Sequence, residues 1–233
     1  IACEDTRQTR KIMNKFEIKN SLISFNMHNS SEKIPTIIKD LKAGKSVALV
    51  SDAGLPSICD PGEDLIEKVR LSNLDIICVP GPCAALTALV SSGFPSSKFV
   101  FEGFLPKKQN EREKILDLIS KSEKTVIVYE SPHRLQKLLK ELKKFCGTNR
   151  DILITRELTK KFEQHIGSCT DKALEIFEGE KIMGEFTIVI KGIKKESKSK
   201  VDLSDLKNEL HELIKAGLSL TAASKYLSKK ESI

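Results

Sequence analysis

The chain has 233 residues, 39% hydrophobic and 30% charged, a composition typical of a globular protein rather than a disordered or fibrous one. No apolar run approaches the ~18 residues that a membrane-spanning helix needs, so the sequence predicts no membrane span. The six cysteines lack C-x-x-C spacing and have no histidine at a metal-ligand offset. This pattern indicates reduced thiols, a cytoplasmic protein and no metal site.

The basic residues are concentrated in one part of the chain. There are 39 Lys and Arg against 32 Asp and Glu, giving a net charge of +7. Residues 1–103 are balanced, with 12 basic and 12 acidic side chains, whereas residues 104–150 carry 12 basic and six acidic ones. Such a block attracts a polyanion, of which nucleic acid is the commonest. The solvated face of a helix explains the same lysines equally well, so both interpretations stay open.

Residues 1–96 predict a first α/β domain in which helices and strands alternate. The predicted elements, in chain order, are a helix at 31–43, a strand at 47–50, a helix capped by Asp60-Pro61, a strand at 76–79 and a helix at 82–92. The two strand segments are continuously apolar, as expected for strands that are buried on both faces. This alternation predicts a parallel sheet.

Residues 97–193 predict a second α/β domain, and residues 201–233 a small helical extension. The second domain has predicted strands at 99–101, 125–129, 152–155 and 186–190, and helices at 111–120 and from Ser131-Pro132 onward. Residues 194–200 (KKESKSK) are typical of a polar linker. The extension holds two helical patterns, 203–213 and 218–227, which are broken at Gly217.

Two loops of small residues leave the carboxyl ends of predicted strands in the first domain. They are residues 51–56 (SDAGLP), continued by Asp60-Pro61-Gly62, and residues 80–85 (PGPCAA). Ligands bind at such strand ends, and small residues allow close approach of the backbone. Neither loop matches a P-loop or the G-x-G-x-x-G fingerprint, which argues against NTPase or dehydrogenase chemistry. We therefore expect the loops to share one pocket.

Polar side chains also gather at strand ends of the second domain. Residues 129–134 (YESPHR) join a strand to a helix, and residues 156–160 (RELTK) follow the next strand. Carboxylate, imidazole and guanidinium groups in this arrangement are candidates for catalysis. A buried Arg–Glu ion pair is the structural alternative for part of this cluster.

Eight short motifs follow one another in a fixed order along the chain. They are ACEDTR at 2–7, MHN at 27–29, SDAG at 51–54 with Pro56, DPG at 60–62, PGPCA at 80–84, GFLPK at 103–107, ESPHR at 130–134 and RELTK at 156–160. This order resembles the RsmI-type family of the tetrapyrrole-methylase superfamily. Members of that family methylate the ribose 2′-hydroxyl of a cytidine in the decoding region of bacterial 16S ribosomal RNA.

The resemblance implies a class III methyltransferase with two α/β domains and S-adenosylmethionine in the cleft between them. It also implies a homodimer that acts on small-subunit ribosomal RNA or on the assembled subunit. It implies cofactor binding by Ser51, Asp52, Ala53, Gly54, Pro80, Gly81, Ala84, Ala85, Tyr129 and Glu185. The candidate catalytic residues are Glu130, His133, Arg134, Arg156, Glu157 and Lys160. The candidate RNA-binding residues are Arg7, His28, Lys107, Lys108, Arg112, Lys137 and Lys140. The sequence does not single out a general base among the catalytic candidates.

One departure from the family pattern bears on the pocket. Members of the family have a strand and a Gly-rich loop of the form G-T-P-I-G-N before the CEDTR motif, and this sequence does not contain that segment. Two other functions therefore stay open. One is a small-molecule methylase of the same fold that acts on a porphyrin precursor, and the other is a non-catalytic RNA-binding module.

Overall fold

A computed structural model of the chain describes residues 1–179, 182–194 and 203–231. The chain divides into two compact units, residues 1–192 and residues 193–233. Both predicted α/β domains fall within the first unit, and their division at residue 96 stays a prediction. Most of the predicted linker lies outside the described residues. Within those residues, no helix has the length and apolar character needed to cross a bilayer.

The first part of unit 1 contains a small parallel sheet of three strands. The strands β1 (Ala2–Cys3), β2 (Ile23–Ser24) and β3 (Leu49–Val50) lie in the order β2-β1-β3. Four helices accompany them: α1 (Thr6–Lys15), α2 (Ser30–Lys42), α3 (Glu63–Leu71) and α4 (Ala84–Ser92). Ala2 and Phe25 form a small core with apolar side chains from α2 and α3. The prediction of a parallel sheet in this part of the chain is confirmed, although only β3 corresponds to a predicted strand.

The predicted strand at 76–79 is wrong. Residues 74–80 form no strand in the structure. The side chain of Ile77 is 87% exposed and that of Val79 is 76% exposed. A continuous apolar strand is stable when neighbours pair with it and cover its faces. No described strand pairs with this segment, so its apolar side chains remain in contact with solvent.

The second sheet has five strands and supplies most of the core. Its strands are β4 (Phe99–Phe104), β5 (Thr125–Glu130), β6 (Asp151–Arg156), β7 (Gln164–Cys169) and β8 (Phe186–Ile190). Their order is β4-β5-β8-β6-β7, with β4 and β5 parallel and every other neighbouring pair antiparallel. Helices α5 (Gln109–Lys121), α6 (Pro132–Cys146) and α7 (Thr170–Ile176) accompany this sheet.

The two faces of the second sheet are covered by different helices. Apolar side chains of α5, α6 and α7, including Leu116 and Leu138, pack against one face. Ala85, Ala88 and Leu89 of α4 pack against the other face around Ile127 and Val189. Helix α4, which follows the first sheet in the chain, therefore packs against the second sheet through an apolar interface.

The C-terminal unit contains two helices, α8 (Leu203–Lys215) and α9 (Leu220–Glu231). The chain turns between them at Gly217, whose φ of +98° is in the region that favours glycine. Ala223 and Leu227 on α9 are buried. The predicted helical extension with a break at Gly217 is confirmed for the described residues of this unit.

Candidate active site

A cavity of about 430 Å³ lies where residues that follow several strands come together. Glu4 follows β1, the loop at 52–55 follows β3, and Leu158 to Lys160 follow β6. Tyr129 and Glu130 are the last residues of β5. Because β8 runs antiparallel to β5 and β6, the beginning of β8 reaches the same edge, and Glu185 and Phe186 also line the cavity.

The two small-residue loops of the first domain share this cavity, as the sequence analysis predicts. Asp52, Ala53 and Gly54 line it together with Pro82 and Ala84. Gly54 has a φ of +78°, and a Cβ added there would lie 3.7 Å from the Pro82 carbonyl oxygen. The loops therefore approach each other closely at a position whose backbone conformation favours glycine.

The cavity wall is predominantly acidic. Five acidic side chains and one basic side chain line it among the described residues: Glu4, Asp52, Asp60, Glu130 and Glu185, with Lys160. Burial raises the pKa of Asp60, and repulsion from Glu4 and Asp52 adds to this effect. A raised carboxyl pKa is the electrostatic sign of negative potential in a partly desolvated site. Such a site favours a cationic ligand.

Tyr129 closes the cavity on the side of the second sheet. Its hydroxyl oxygen accepts a hydrogen bond from the backbone N–H of Ala85 at 3.1 Å, in the first turn of α4. Burial raises the pKa of Tyr129 to about 12, so this hydroxyl stays protonated at neutral pH. Its ring meets those of Phe101 and Phe104 edge to face, with centroids 5.0 and 5.6 Å apart. Phe104 remains 52% exposed beside the cavity.

The loop after β6 holds Lys160 through a small ion-pair cluster. Lys160 Nζ lies 3.1 Å from Glu157 Oε1 and 3.0 Å from Glu185 Oε2. Burial opposes the charge on Lys160, but the hydrogen bonds that its ammonium group donates to Glu185 and Glu157 outweigh this effect and raise the lysine pKa. The backbone N–H of Glu185 donates to Glu157 Oε1 at 2.9 Å, which lowers the pKa of Glu157. The ammonium group is therefore charged at neutral pH.

The loop that carries Lys160 has a constrained backbone. Glu157 and Thr159 have φ values of +52° and +66°, in the left-handed region that non-glycine residues adopt rarely. Gly184 has a φ of +102°, and a Cβ there would lie 2.8 Å from Cγ of Glu157. Glu157 thus contacts the backbone before β8 closely. Left-handed residues of this kind occur often at ligand sites, where the surrounding contacts hold them in place.

Some of the candidate catalytic residues lie at the cavity and others lie away from it. Glu130 and Lys160 line the cavity, whereas Glu157 lies behind Lys160 as its ion-pair partner. His133 instead lines a groove on the exposed face of α6. Arg156 packs over the ring of Phe186 with its guanidinium 5.8 Å from the ring centroid and hydrogen-bonds Gln164.

Arg134 and Glu130 form an ion pair in which both guanidinium and carboxylate are held by further contacts. Arg134 Nη2 lies 2.7 Å from Glu130 Oε1, and Arg134 Nη1 donates to the Leu105 carbonyl oxygen at 3.3 Å. Arg112 lies 3.2 Å from the other oxygen of Glu130. The structural alternative noted for this cluster, a buried Arg–Glu pair, is therefore present.

The predicted cofactor-binding residues are mostly in the cavity wall. Six of the ten line it: Asp52, Ala53, Gly54, Ala84, Tyr129 and Glu185. Ser51 donates a hydrogen bond to the Ala53 carbonyl oxygen and so supports the loop, and Ala85 contributes its N–H to Tyr129. Pro80 and Gly81 are exposed, in the segment that follows residues 76–79.

The predicted RNA-binding residues are exposed, with one exception. Arg7, His28, Lys107, Lys108, Lys137 and Lys140 are all on the surface. Arg112 is 1% exposed, and its guanidinium lies between the carboxylates of Glu130 and Glu141. The prediction that Arg112 contacts RNA is wrong, because a buried and ion-paired guanidinium presents no cation to a phosphate.

Several residues that line the cavity were absent from the predicted site. Glu4, Asp60 and Leu158 stand in the ordered motifs without an assigned role as site residues, and Cys59 carries no sequence signal. The sequence marks Asp60 through the DPG motif, which continues the small-residue loop at 51–56, and through the predicted helix cap. No group of three or more His, Cys, Asp and Glu side chains within the described part of the chain has the arrangement of a metal site.

Comparison with known proteins agrees with this fold. The sequence profile of the tetrapyrrole (corrin/porphyrin) methylases matches residues 1–175. Among solved structures, the methyltransferase CobJ matches with a TM-score of 0.57 and 18% identity, covering 80% of this chain and 86% of that one. Diphthine synthase matches with a TM-score of 0.58 and 11% identity over 82% of this chain and 78% of that one. The chain has the tetrapyrrole-methylase fold.

Curated relatives define a narrower family. Ribosomal RNA small subunit methyltransferase I of Synechocystis is 39% identical over 99% of this chain and 82% of that protein. The protein of the same name from Thermotoga maritima is 42% identical over 82% of this chain and 86% of its own length. The chain belongs to the ribosomal RNA small subunit methyltransferase I family.

Proposed function

We propose that the chain transfers a methyl group from S-adenosylmethionine to the ribose 2′-hydroxyl of a cytidine in small-subunit ribosomal RNA. The names of the curated relatives support the methyl transfer and the class of RNA. The cavity at the strand ends is the single structural observation that carries the proposal. The choice of a cytidine 2′-hydroxyl rests on the motif resemblance described above.

The residues of the cavity fit S-adenosylmethionine. A uroporphyrin-III C-methyl transferase of Thermus thermophilus resembles this chain with a TM-score of 0.52 and 14% identity, over 81% of this chain and 83% of that one. That protein was solved in complex with S-adenyl homocysteine, which supports the same choice of cofactor here. The small side chains of Ala53, Gly54 and Ala84 leave room for a ligand against the backbone. Asp52 and Asp60 provide negative charge to attract a cation. When bound, the cofactor supplies an activated methyl group on a positively charged sulfur.

Lys160 is the residue best placed to assist the oxygen nucleophile. It is the one basic side chain in the cavity wall among the described residues, and its raised pKa keeps it protonated at neutral pH. A protonated lysine stabilises negative charge that develops on the ribose oxygen, whereas it cannot accept a proton. We assign Lys160 this electrostatic role, with Glu157 and Glu185 holding its ammonium group in position.

The RNA is proposed to bind outside the cavity, on exposed cations of the second domain. Lys107 and Lys108 follow β4, and Lys137 and Lys140 lie on the exposed face of α6. These lysines would contact phosphates, whereas Phe104 offers an exposed aromatic ring beside the cavity for stacking with a base. Arg7 and His28 are exposed on the first domain and remain candidate RNA contacts.

The experiment that tests the function measures transfer of radiolabelled methyl groups. Purified protein is incubated with labelled S-adenosylmethionine and three substrates in parallel: small ribosomal subunits, naked small-subunit RNA and a porphyrinogen. Labelling of RNA that disappears when the target cytidine carries a 2′-deoxy sugar supports the proposal. Labelling of the porphyrinogen alone supports the small-molecule alternative, and cofactor binding without labelling of any substrate contradicts the proposal.

A variant of Lys160 tests the assigned role. We expect Lys160→Met to lower kcat by about 100-fold, as for loss of a transition-state charge contact, with the Kd for S-adenosylmethionine changed much less. Lys160→Arg, which keeps the charge, is expected to retain more activity than Lys160→Met. Equal kcat values for wild type and Lys160→Met would remove Lys160 from the mechanism.

The oligomeric state and cellular location are part of the same proposal. The motif resemblance supports a homodimer that acts in the cytoplasm on ribosomal RNA. Sedimentation equilibrium of the purified protein tests the dimer. A single species with the mass of one chain, 26.0 kDa, at micromolar concentration would contradict it.

A further inference from the structure

Beneath the cavity wall lies a buried cluster of charged side chains. Arg112 on α5 is 1% exposed, and its Nε donates to Glu141 Oε2 on α6 at 2.7 Å. Its Nη2 donates to Glu130 Oε2, at the end of β5, at 3.2 Å. Arg134 pairs with the second oxygen of Glu130 at 2.7 Å. Two guanidinium groups and two carboxylates therefore form a buried cluster that joins two helices and a strand, and the exposed Lys137 lies 3.7 Å from Glu141 at its edge.

This cluster does not have the form expected of an optimised stabilising contact. Buried ion pairs lose hydration, and replacing them with apolar side chains is often neutral or stabilising. Two atoms of the cluster, Arg112 Nη1 and Glu141 Oε1, are buried without a hydrogen-bond partner, and the nearest cation to Glu141 Oε1 is Lys137 Nζ, at an ion-pair distance of 3.7 Å. Unsatisfied buried polar atoms add a further cost. A contribution to stability is thus a weak explanation for the presence of these charges.

The cluster holds backbone segments that form one side of the cavity. Glu130 Oε1 accepts a hydrogen bond from the backbone N–H of Ser131 at 2.8 Å, which fixes the junction between β5 and α6. Arg134 donates to the carbonyl oxygen of Leu105, the residue after β4. The neighbours of these anchors, Phe104 and Tyr129, line the cavity, as do Glu130 and Ser131 themselves.

From these contacts we infer that Arg112 is a positioning residue for the proposed methyl transfer. Arg112 acts through Glu130. The Arg112 guanidinium holds the Glu130 carboxylate, which in turn holds the Ser131 amide and Arg134. These contacts keep the second-domain wall of the cavity in a single conformation. Arg112 itself does not line the cavity. This inference rests on the proposed function, because the geometry is held for that reaction. It assigns a buried role to a residue whose sequence position, in a basic stretch, suggested RNA binding.

A double replacement, Arg112→Met with Glu141→Leu, tests this role. It removes one positive and one negative charge, so the remaining Glu130–Arg134 pair is neutral and the protein is expected to stay folded, with Tm lowered by no more than about 10 °C. We expect kcat to fall by about 10-fold or more, because the cavity wall is no longer held in one geometry. The KM for S-adenosylmethionine should change less than about twofold, since the acidic residues of the first domain are untouched.

The matched control removes an exposed pair of the same charges from the same helix. Lys121 and Asp117 on α5 form an ion pair at 2.7 Å, with the lysine side chain 71% exposed and the aspartate side chain 48% exposed. Lys121→Met with Asp117→Leu should leave kcat unchanged. If the double variant at 112 and 141 retains wild-type kcat, or if the control loses as much activity, the positioning role is overturned.

A second readout does not depend on activity. Hydrogen exchange at the Ser131 amide, followed by mass spectrometry of the peptide around it, should be faster in the double variant at 112 and 141 than in wild type or control. Unchanged exchange overturns the inference even if wild type proves inactive on RNA, an outcome that would contradict the proposed function alone. If the double variant does not fold, Arg112→Lys replaces it in the same kcat and exchange measurements. This variant keeps the charge but loses the simultaneous hydrogen bonds to Glu130 and Glu141. Failure of both variants to fold would show that the cluster serves folding, which also overturns the inference.

Discussion

Asp60 is the residue at which stability and the proposed function have opposite requirements. Its carboxylate lines the cavity together with Glu4 and Asp52. Burial and the negative charges around it raise its pKa above the ordinary value of 3.8. A cation bound in the cavity would relieve this repulsion. The residue therefore destabilises the ligand-free protein while favouring a positively charged ligand, a combination that is common at binding sites.

We predict that Asp60→Asn raises the Tm of the ligand-free protein at pH 7 by about 1–3 °C, a modest amount because the carboxyl is partly exposed to solvent. The direction follows from proton linkage. A group whose folded pKa is raised binds more protons in the folded state, so stability falls as pH rises from the ordinary value through the folded value. Asp60→Asn lacks this pH dependence of stability. The difference in Tm between Asp60→Asn and wild type should therefore vanish below about pH 3.8. Calorimetric unfolding at several pH values measures both quantities.

The same variant should bind S-adenosylmethionine more weakly at pH 7, by about 10-fold, since it removes a charge that faces a cation. Asp75→Asn, at an exposed position outside the cavity, is the control and should alter neither Tm nor affinity. A lower Tm for Asp60→Asn at pH 7, or unchanged affinity, would contradict the proposed electrostatic role of this carboxylate.

At the scale of secondary structure, two apolar segments with similar sequences differ in burial: one forms a buried strand and the other is exposed. Residues 76–79 (IICV) and residues 126–128 of β5 (VIV) are both continuous apolar runs. In β5, Ile127 is fully buried between neighbouring strands and α4. In the other segment, Ile77 is 87% exposed. The difference lies in which neighbours each segment has and not in its own residues.

This contrast predicts two very different mutational effects. Ile127→Ala should lower the free energy of unfolding by about 2–5 kcal/mol, because it creates a cavity in the core. Ile77→Ala should change it by no more than about 0.5 kcal/mol, as is usual for an exposed side chain. Urea denaturation of both variants measures the two values. A loss of more than about 1 kcal/mol for Ile77→Ala would show that residues 76–79 are buried in solution.

Helix α1 and strand β7 are not predicted from the sequence, for physical reasons that the structure shows. Helix α1 carries four basic residues and few apolar ones, so it has no extended apolar face, and its start depends on the Asp5 side chain, which accepts a hydrogen bond from the Arg7 N–H. Strand β7 has the sequence QHIGSC and lies at the edge of its sheet. All of its side chains are exposed or half-buried, and it has no continuous apolar run, so hydrophobic patterning does not reveal it.

At the scale of the whole molecule, the signs of charge are separated. The cavity wall is acidic, whereas the exposed face of α6 carries Lys137, Lys140 and Lys144 around a shallow groove. A polyanion is therefore repelled from the cavity wall and attracted to the helix face, while a small cation has the opposite preference. This separation suits an enzyme that binds a cationic cofactor and an anionic polymer at the same time.

We predict that replacing Lys137, Lys140 and Lys144 together by alanine weakens binding to small-subunit RNA by about 10-fold or more at low salt. The plot of log K against log salt should become less steep by about 2, since roughly three phosphate contacts are lost. Filter binding between about 50 and 200 mM salt measures the slope.

The control removes the same number of charges elsewhere on unit 1. Lys39, Lys42 and Lys45 lie on α2 and just after it, and Lys45 pairs with Asp40. Replacing them by alanine should leave the slope close to that of wild type. If the two triple variants weaken binding equally, the RNA contact is a general effect of net charge and the α6 face has no special role.

The sequence by itself determined the fold family, the order of the motifs, the parallel character of the first sheet and the loops that share the cavity. The family follows from the resemblance carried by the ordered motifs, whereas the α/β class and the shared loops follow from local patterns: small residues after apolar runs, helix caps and the spacing of apolar positions. The tertiary structure alone decided that Arg112 is buried against Glu130, that Asp60 belongs to an acidic wall and that residues 76–79 are exposed. Each of these depends on which distant segments come together, because desolvation and charge pairing are set by neighbours in space.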